Sequence, residues 1–123
     1  MKQRIALVVA VVAIGVGVIA AGAFARTQQS AANTITVTMT DFHFKIVKPA
    51  VLKHGVKYTV KEINKSTSTA HNIDFVGVKA GAIIAPGKTK IFTVTFKKKG
   101  KQNYVCDVPR HAELGMNGTL TIK

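Results

Sequence analysis

Two kinds of apolar pattern divide this chain. From Ile5 to Ala25 the sequence runs for 21 residues without a charged or strongly polar side chain. From residue 34 onward the apolar residues recur at every second position, the period of a half-buried strand. Ile35, Val37 and Met39 alternate with threonines, and Phe42, Phe44 and Ile46 continue the alternation until Pro49 stops it. Val56, Tyr58 and Val60 alternate with Lys57, Thr59 and Lys61, and Ile73 and Phe75 follow His71 in a short strand. Phe92, Val94 and Phe96 alternate with Ile91, Thr93 and Thr95, which predicts a strand apolar on both faces. Tyr104 to Cys106 reads as a further strand, and Thr119 to Lys123 closes the pattern with Leu120 and Ile122 facing inward. A Ser/Thr-rich loop over 65–70, the Ala85-Pro86-Gly87 turn and a lysine-rich turn around Gly100 punctuate these segments. Past residue 33 no segment carries a helical stripe. Short, regularly spaced strands with turns between them predict an all-β sandwich.

The apolar run at the start has a different meaning. Lys2 and Arg4 precede it, and Ala23-Phe24-Ala25 closes it with a small-x-small pattern, the layout of a secretory signal peptide. The same run is long enough to span a bilayer, so an uncleaved N-terminal anchor is the alternative. Its many Ala and Gly residues lower the hydrophobicity, which favours cleavage. Either route exports the remainder, to the periplasm or the outer face of the cytoplasmic membrane. No cysteine follows the run, which excludes a lipid anchor there. Residues 26–33 are small and polar and read as a tether. The expected organisation is a signal peptide or anchor over 1–25, the tether over 26–33 and one domain over 34–123. Cleavage after Ala25 would leave 98 residues, enough for a single core without covalent staples.

Charge adds a constraint on partners. The chain carries a formal +13. Export argues against nucleic acid, and so does a basic set that is mostly lysine without arginines interleaved among aromatics. An acidic protein surface or an anionic membrane fits better, although solvation of outward strand faces explains most of the lysines. Lys97, Lys98, Lys99 and Lys101 form the densest run. They precede the strand that ends at Cys106 and so belong at the pole away from it. A solubilising turn that guards a sheet edge is the simpler reading; contact with anionic lipid or an acidic surface is the functional one.

The candidate chemistry lies in Tyr104-Val-Cys106-Asp-Val-Pro-Arg-His111-Ala-Glu-Leu-Gly-Met116. Cys106 is the only cysteine, four residues separate it from His111, and four more separate His111 from Met116. A lone thiol in an exported protein is an oxidation liability unless something occupies it. A thiolate, an imidazole and a thioether on one loop form the ligand set of a copper electron-transfer site, with His71 the candidate for the missing ligand. Zinc would favour four stronger ligands in a closed tetrahedron. Calcium and magnesium would need oxygen ligands that this loop hardly supplies. A dinuclear copper site would need a second cysteine. Pro109 stiffens the loop, and Gly115 lets the backbone bend beside Met116. His43 and His54 read as surface residues, too isolated to suggest an enzyme, and Met39 and Tyr104 read as packing.

The stretch Tyr104-x-Cys106-x-x-Pro109-x-His111-Ala-x-x-Gly115-Met116-x-Gly118 resembles the C-terminal signature of the cupredoxins, the small blue copper proteins. Its four-and-four spacing is most similar to the branch containing rusticyanin, auracyanin and sulfocyanin; plastocyanin has a shorter first spacer. His71-Asn72, the Ala85-Pro86-Gly87 turn and the Phe92-Val94-Phe96 strand match in order, so the likeness covers roughly residues 34 to 123. It implies a Greek-key β-sandwich with one copper ion held by His71, Cys106, His111 and Met116. It also implies single-electron shuttling between extracytoplasmic redox proteins, such as cytochromes or an oxidase, with no enzymatic turnover. A periplasmic copper carrier without redox cycling, or a metal-free interaction domain, are the competing functions. Backbone N–H groups of Asn72 and Val108 are expected to donate to the Cys106 sulfur and tune the potential. Val108, Pro109, Arg110, Ala112 and Leu114 are expected to form the partner-docking rim around His111. Arg110 departs from the family, which usually has glycine before the second histidine; the loop is expected to take an ordinary backbone angle there.

Overall fold

The computed structural model describes residues 31–123; the apolar run and most of the tether lie outside that range. Among the described residues no helix is long and apolar enough to cross a membrane. A 3-10 turn, Ala31–Asn33, leads into β1, Thr34–Thr40. The period-two pattern of β1 is realised residue by residue: Ile35, Val37 and Met39 are fully buried, while the threonines between them face outward or stay half-buried. Threonine suits that second face because its branched Cβ packs well on a pleated surface.

Seven more strands complete the sandwich. They are β2 (His43–Val47), β3 (Lys57–Asn64), β4 (Asp74–Phe75), β5 (Lys79–Ala80), β6 (Thr89–Thr95), β7 (Gly100–Val105) and β8 (Asn117–Ile122). One sheet has the order β2-β1-β3-β6 and the other β5-β4-β7-β8. The first mixes directions: β1 lies parallel to β3 and antiparallel to β2, and β3 is antiparallel to β6. The parallel pair cannot be a hairpin, so the chain must leave the sheet edge and return, as in a Greek key. Phe75, Phe96, Ile35, Leu52, Ile73 and Ile84 fill the space between the sheets. Phe75 meets Phe96 edge-on with centroids 5.3 Å apart, a favoured aromatic geometry.

Three details differ from the sequence reading. Phe42 is not in a strand; with Asp41 it makes the turn joining β1 to β2, at a left-handed φ of 59°. Ile91 is 65 % exposed, so β6 is apolar on both sides but buried on only one. The lysine-rich turn is shorter than expected, because β7 already begins at Gly100.

The strand directions separate two poles. β1 and β3 run towards the end where Met39 O accepts from Lys65 N. β7 runs to the same end and delivers Cys106. The opposite pole collects the start of β1, the start of β3, the β6–β7 turn and the end of β8, since Thr34 pairs with Thr59, Lys57 with Thr95 and Gly100 with Ile122.

The inner face of β3 changes character along its length. Tyr58 and Val60 are apolar, but Glu62 and Asn64, which continue the same alternation, are buried too. Glu62 Oε1 accepts the Ile73 N–H at 2.9 Å, and among the described residues Oε2 has no hydrogen-bond partner. The carboxyl occupies the space a side chain at residue 81 would fill: a Cβ on Gly81 would collide with it. Burial, only partly offset by the Ile73 N–H and by Lys90, pushes the Glu62 carboxyl up to about 7.

Candidate metal centre

Each expected ligand is set by a local backbone arrangement. His71 lies on the β3–β4 connection, where it makes an isolated bridge to Ile84: His71 N donates to Ile84 O at 3.2 Å and Ile84 N to His71 O at 2.8 Å. Cys106 directly follows β7, and its N–H donates to Met116 O at 3.0 Å. Between them the loop folds on itself. His111 N donates to Val108 O, Leu114 N to Arg110 O and Met116 N to His111 O, at 3.1, 3.1 and 3.0 Å. Gly115 has φ 118°, which requires glycine, and a Cβ there would also sit tightly against Phe42 O at 3.3 Å.

These constraints bring three donor atoms together. His71 Nδ1 lies 3.1 Å from His111 Nδ1, and Cys106 Sγ lies 3.6 Å from His111 Nδ1 and 4.0 Å from His71 Nδ1. All three donors fall within 4.8 Å of one another, and all three residues are buried. The three donor atoms are close enough together for one ion to bind both rings and the sulfur. Met116 is fully buried in the same loop. A sulfur and two imidazoles in a triangle, with a thioether-bearing residue beside them, fit copper better than zinc.

Protonation also favours ligation. Burial, reinforced by the neighbouring His111, lowers the pKa of His71, although Asp41 opposes the shift. A neutral ring keeps a lone pair for a metal at neutral pH. Which nitrogen carries the proton is set from behind. Ser66 Oγ lies 2.9 Å from His71 Nε2 and donates to Asp41 Oδ1 at 2.5 Å. The Ser66 proton is thus committed to Asp41, so Ser66 Oγ accepts from Nε2–H and leaves Nδ1 facing the site. That bond from Ser66 is also the main cause that lowers the pKa of Asp41. Asn64 holds Ser66 in place: its Oδ1 accepts Ser66 N at 2.9 Å, and its Nδ2 donates to Thr69 O and Ile84 O.

Asn72 does more than the sequence suggested, and by other atoms. Its Oδ1 accepts Asp107 N at 2.8 Å, while Nδ2 donates to Asp107 Oδ2 at 2.8 Å and Gly81 O at 3.0 Å. The hydrogen-bonding contacts of Cys106 Sγ among the described residues are the two imidazole nitrogens; no bond from the amide of Asn72 or Val108 to it is seen.

The outer side of the site also differs in detail. His111 is only 7 % exposed, and the Phe42 ring stands edge-on against it with centroids 5.2 Å apart. Pro109, Arg110 and Leu114 are exposed around it, and Val108 and Ala112 are half-buried. Arg110 overturns the backbone expectation: its φ is 70°, in the left-handed region. The loop geometry demands that conformation whatever side chain is present, at a cost that glycine would avoid. His43 and His54 lie on the surface as expected, His54 Nδ1 2.9 Å from Lys123 O.

Asp41, Phe42, Asn64 and Ser66 are the site residues that sequence reasoning missed. Only Asn64 left a signal, its place on the inward phase of β3. The others come to the site through loops whose paths no periodicity encodes.

A family model described as a cupredoxin-like domain matches residues 9–122. Among solved structures, the chain is similar to dithionite-reduced auracyanin from the photosynthetic bacterium Roseiflexus castenholzii. That match has a TM-score of 0.65 and 22 % identity over 76 % of this chain and 99 % of that one. Auracyanin B matches with a TM-score of 0.64 and 19 % identity, over 76 % of this chain and 91 % of that one. A chain of a heme-copper terminal oxidase dimer matches with a TM-score of 0.58 and 16 % identity, over 75 % and 65 %. At these identities the likeness establishes the fold. A search of curated proteins finds no match.

Proposed function

The chain belongs to the cupredoxin-like family, and from that premise we propose that it is a mononuclear type 1 copper protein that carries single electrons outside the cytoplasm. One observation carries the reading: Nδ1 of His71, Nδ1 of His111 and Sγ of Cys106 converge within 4.8 Å in a buried site. Copper, when bound, would supply a one-electron couple between its +1 and +2 states. His71, Cys106, His111 and Met116 would hold it.

The protein's own contribution is rigidity and access. His71 is clamped by the Ile84 bridge and the Ser66 contact, and Cys106 by its bond to Met116 O. Little rearrangement is then needed when the charge at the site changes. Of the three donor residues His111 is the most exposed. A partner docking on Val108, Pro109, Arg110, Ala112 and Leu114 would approach closest to the site through it. The small apolar rim suits brief encounters. The fold shared with a chain of a heme-copper terminal oxidase supports redox proteins, such as cytochromes or an oxidase, as the partners.

Repeated reduction by ascorbate and reoxidation, in the presence of a Cu(I) chelator, tests redox use against copper delivery. A carrier of electrons keeps its copper through successive cycles. Loss of copper to the chelator at the first reduction would make the protein a copper donor instead.

A further inference from the structure

The pole opposite the metal centre has an unusual charge distribution. Lys97, Lys98 and Lys99 lie between β6 and β7, and Lys101 lies at the start of β7. Lys57 opens β3, level with Thr95. Lys53 precedes His54, whose N–H donates to Lys123 O, and Gly55 N donates to Phe96 O. Seven exposed lysines (Lys53, Lys57, Lys97, Lys98, Lys99, Lys101 and Lys123) therefore share one end of the sandwich.

The acidic side chains are all elsewhere. Asp41 contacts Ser66 at the metal end, and Asp107 and Glu113 lie in or beside the ligand loop. Asp74 pairs with Val105, next to Cys106, and Glu62 is buried between the sheets. No acidic side chain lies at the lysine pole among the described residues. A groove of about 610 Å³ lined by Val76, Val78, Lys79, Lys97, Lys98 and Gln102 extends the basic surface along one flank.

This pole is also where the chain joins the fold. Thr34, the first residue of β1, is paired with Thr59 near the start of β3. In sequence, only residues 26–33 separate it from the apolar run Ile5 to Ala25. We propose that the lysine pole is a docking surface for an anionic lipid membrane, which holds the domain with its metal centre pointing away from the bilayer. Lysines near an anionic leaflet each strengthen binding about fivefold, over a range of roughly one Debye length. Seven on one face form a strong patch that can hold the cleaved domain by itself; where the apolar run is retained as an anchor, the short tether adds a high local concentration of membrane. Six residues at about 3.3 Å each place Cys106 roughly 20 Å from Gly100, so docking leaves the His111 rim open to partners.

The test uses the full chain in nanodiscs of phosphatidylcholine alone or with phosphatidylglycerol, and is independent of metal loading. Lysine amines are acylated and their rates followed by mass spectrometry. On anionic discs, Lys53, Lys57, Lys97 to Lys99, Lys101 and Lys123 should react several-fold more slowly than Lys65 and Lys88, which lie towards the metal end. High salt, or neutral discs, should abolish the difference. In a K97Q/K98Q/K99Q/K101Q variant of unchanged circular dichroism, Lys53, Lys57 and Lys123 should lose their protection. Equal rates on the two kinds of disc would overturn the proposal, as expected if the pole instead meets an acidic protein or only water. Protection of Lys65 and Lys88 instead of the pole would overturn it too. If the variant does not fold, the comparison of the two discs with the native chain still decides.

Discussion

Asn72 Oδ1 accepts the backbone N–H of Asp107 at 2.8 Å, which ties the loop carrying His71 to the loop carrying Cys106. Each ligand precedes its half of this contact by one residue. The same side chain donates to Asp107 Oδ2 and to Gly81 O, so three bonds converge on one amide that is 1 % exposed. Replacing Asn72 with Ala should lower the stability of the metal-free protein by about 2–4 kcal/mol, because the buried Gly81 carbonyl and the Asp107 amide lose their partners. Urea unfolding of the two proteins measures it. A loss below about 0.5 kcal/mol would mean that backbone contacts alone fix the spacing of the two loops.

Ser66 is expected to act on the metal through His71. Ser66→Ala removes the acceptor of Nε2–H and frees the ring to turn or change tautomer. Such partners of a ligating histidine typically contribute 10–100-fold in metal affinity. A competition titration with copper(II) should show a loss in about that range, with little change in the melting temperature of the metal-free protein. Unchanged affinity would mean that the Ile84 bridge orients His71 without help.

Arg110 holds a left-handed φ of 70° without being glycine. Arg110→Gly should raise stability by about 1 kcal/mol, since a side chain in that region costs roughly 1–2 kcal/mol and part of the gain is returned as unfolded-state entropy. If partners read the guanidinium, the same variant should bind them more weakly while becoming more stable. A less stable variant would show that the Arg110 side chain makes contacts that outweigh the backbone strain.

Glu62 predicts how stability varies with pH. Its folded pKa is pushed up from 4.5 to about 7, so folding favours its protonated form. The contribution is complete below pH 4.5 and is lost as the pH rises to about 7, since the unfolded chain ionises more readily there. The shift corresponds to about 3 kcal/mol. Glu62→Gln removes this slope and keeps an oxygen for the Ile73 N–H. Calorimetry at pH 5 and pH 8 should show the native protein losing more stability than the variant; His71, common to both, cancels in the comparison. Parallel behaviour of the two proteins would refute the raised pKa.

The β-sandwich was legible because its strands obey a strict alternation. Ile35, Val37, Met39, Leu120 and Ile122 were assigned to the interior by phase alone, and all are buried. The donor triangle was legible because three of the four proposed ligands are close in sequence. What escaped was the surroundings. Asp41 favours a turn, but Phe42 keeps the apolar phase of Phe44 and Ile46 and so hides it; strand pairing from Thr40 to His43 makes the two residues a turn. Arg110 suggested an ordinary backbone angle, but its φ is 70°, because the path of the loop between Cys106 and Met116 is set by contacts that one residue's preference does not reveal. Glu62 lies on the inward phase of β3, but its burial is not legible from the sequence because a carboxylate is rarely buried without a cation.

In the proposed function, His71, Cys106 and His111 hold one copper ion as a type 1 site. The most direct test is to add copper(II) to the purified protein and record its visible spectrum. Ligation by the Cys106 thiolate predicts an intense charge-transfer band in the visible that saturates at one equivalent and disappears in Cys106→Ser. A colourless product, or a band that survives Cys106→Ser unchanged, would contradict the account.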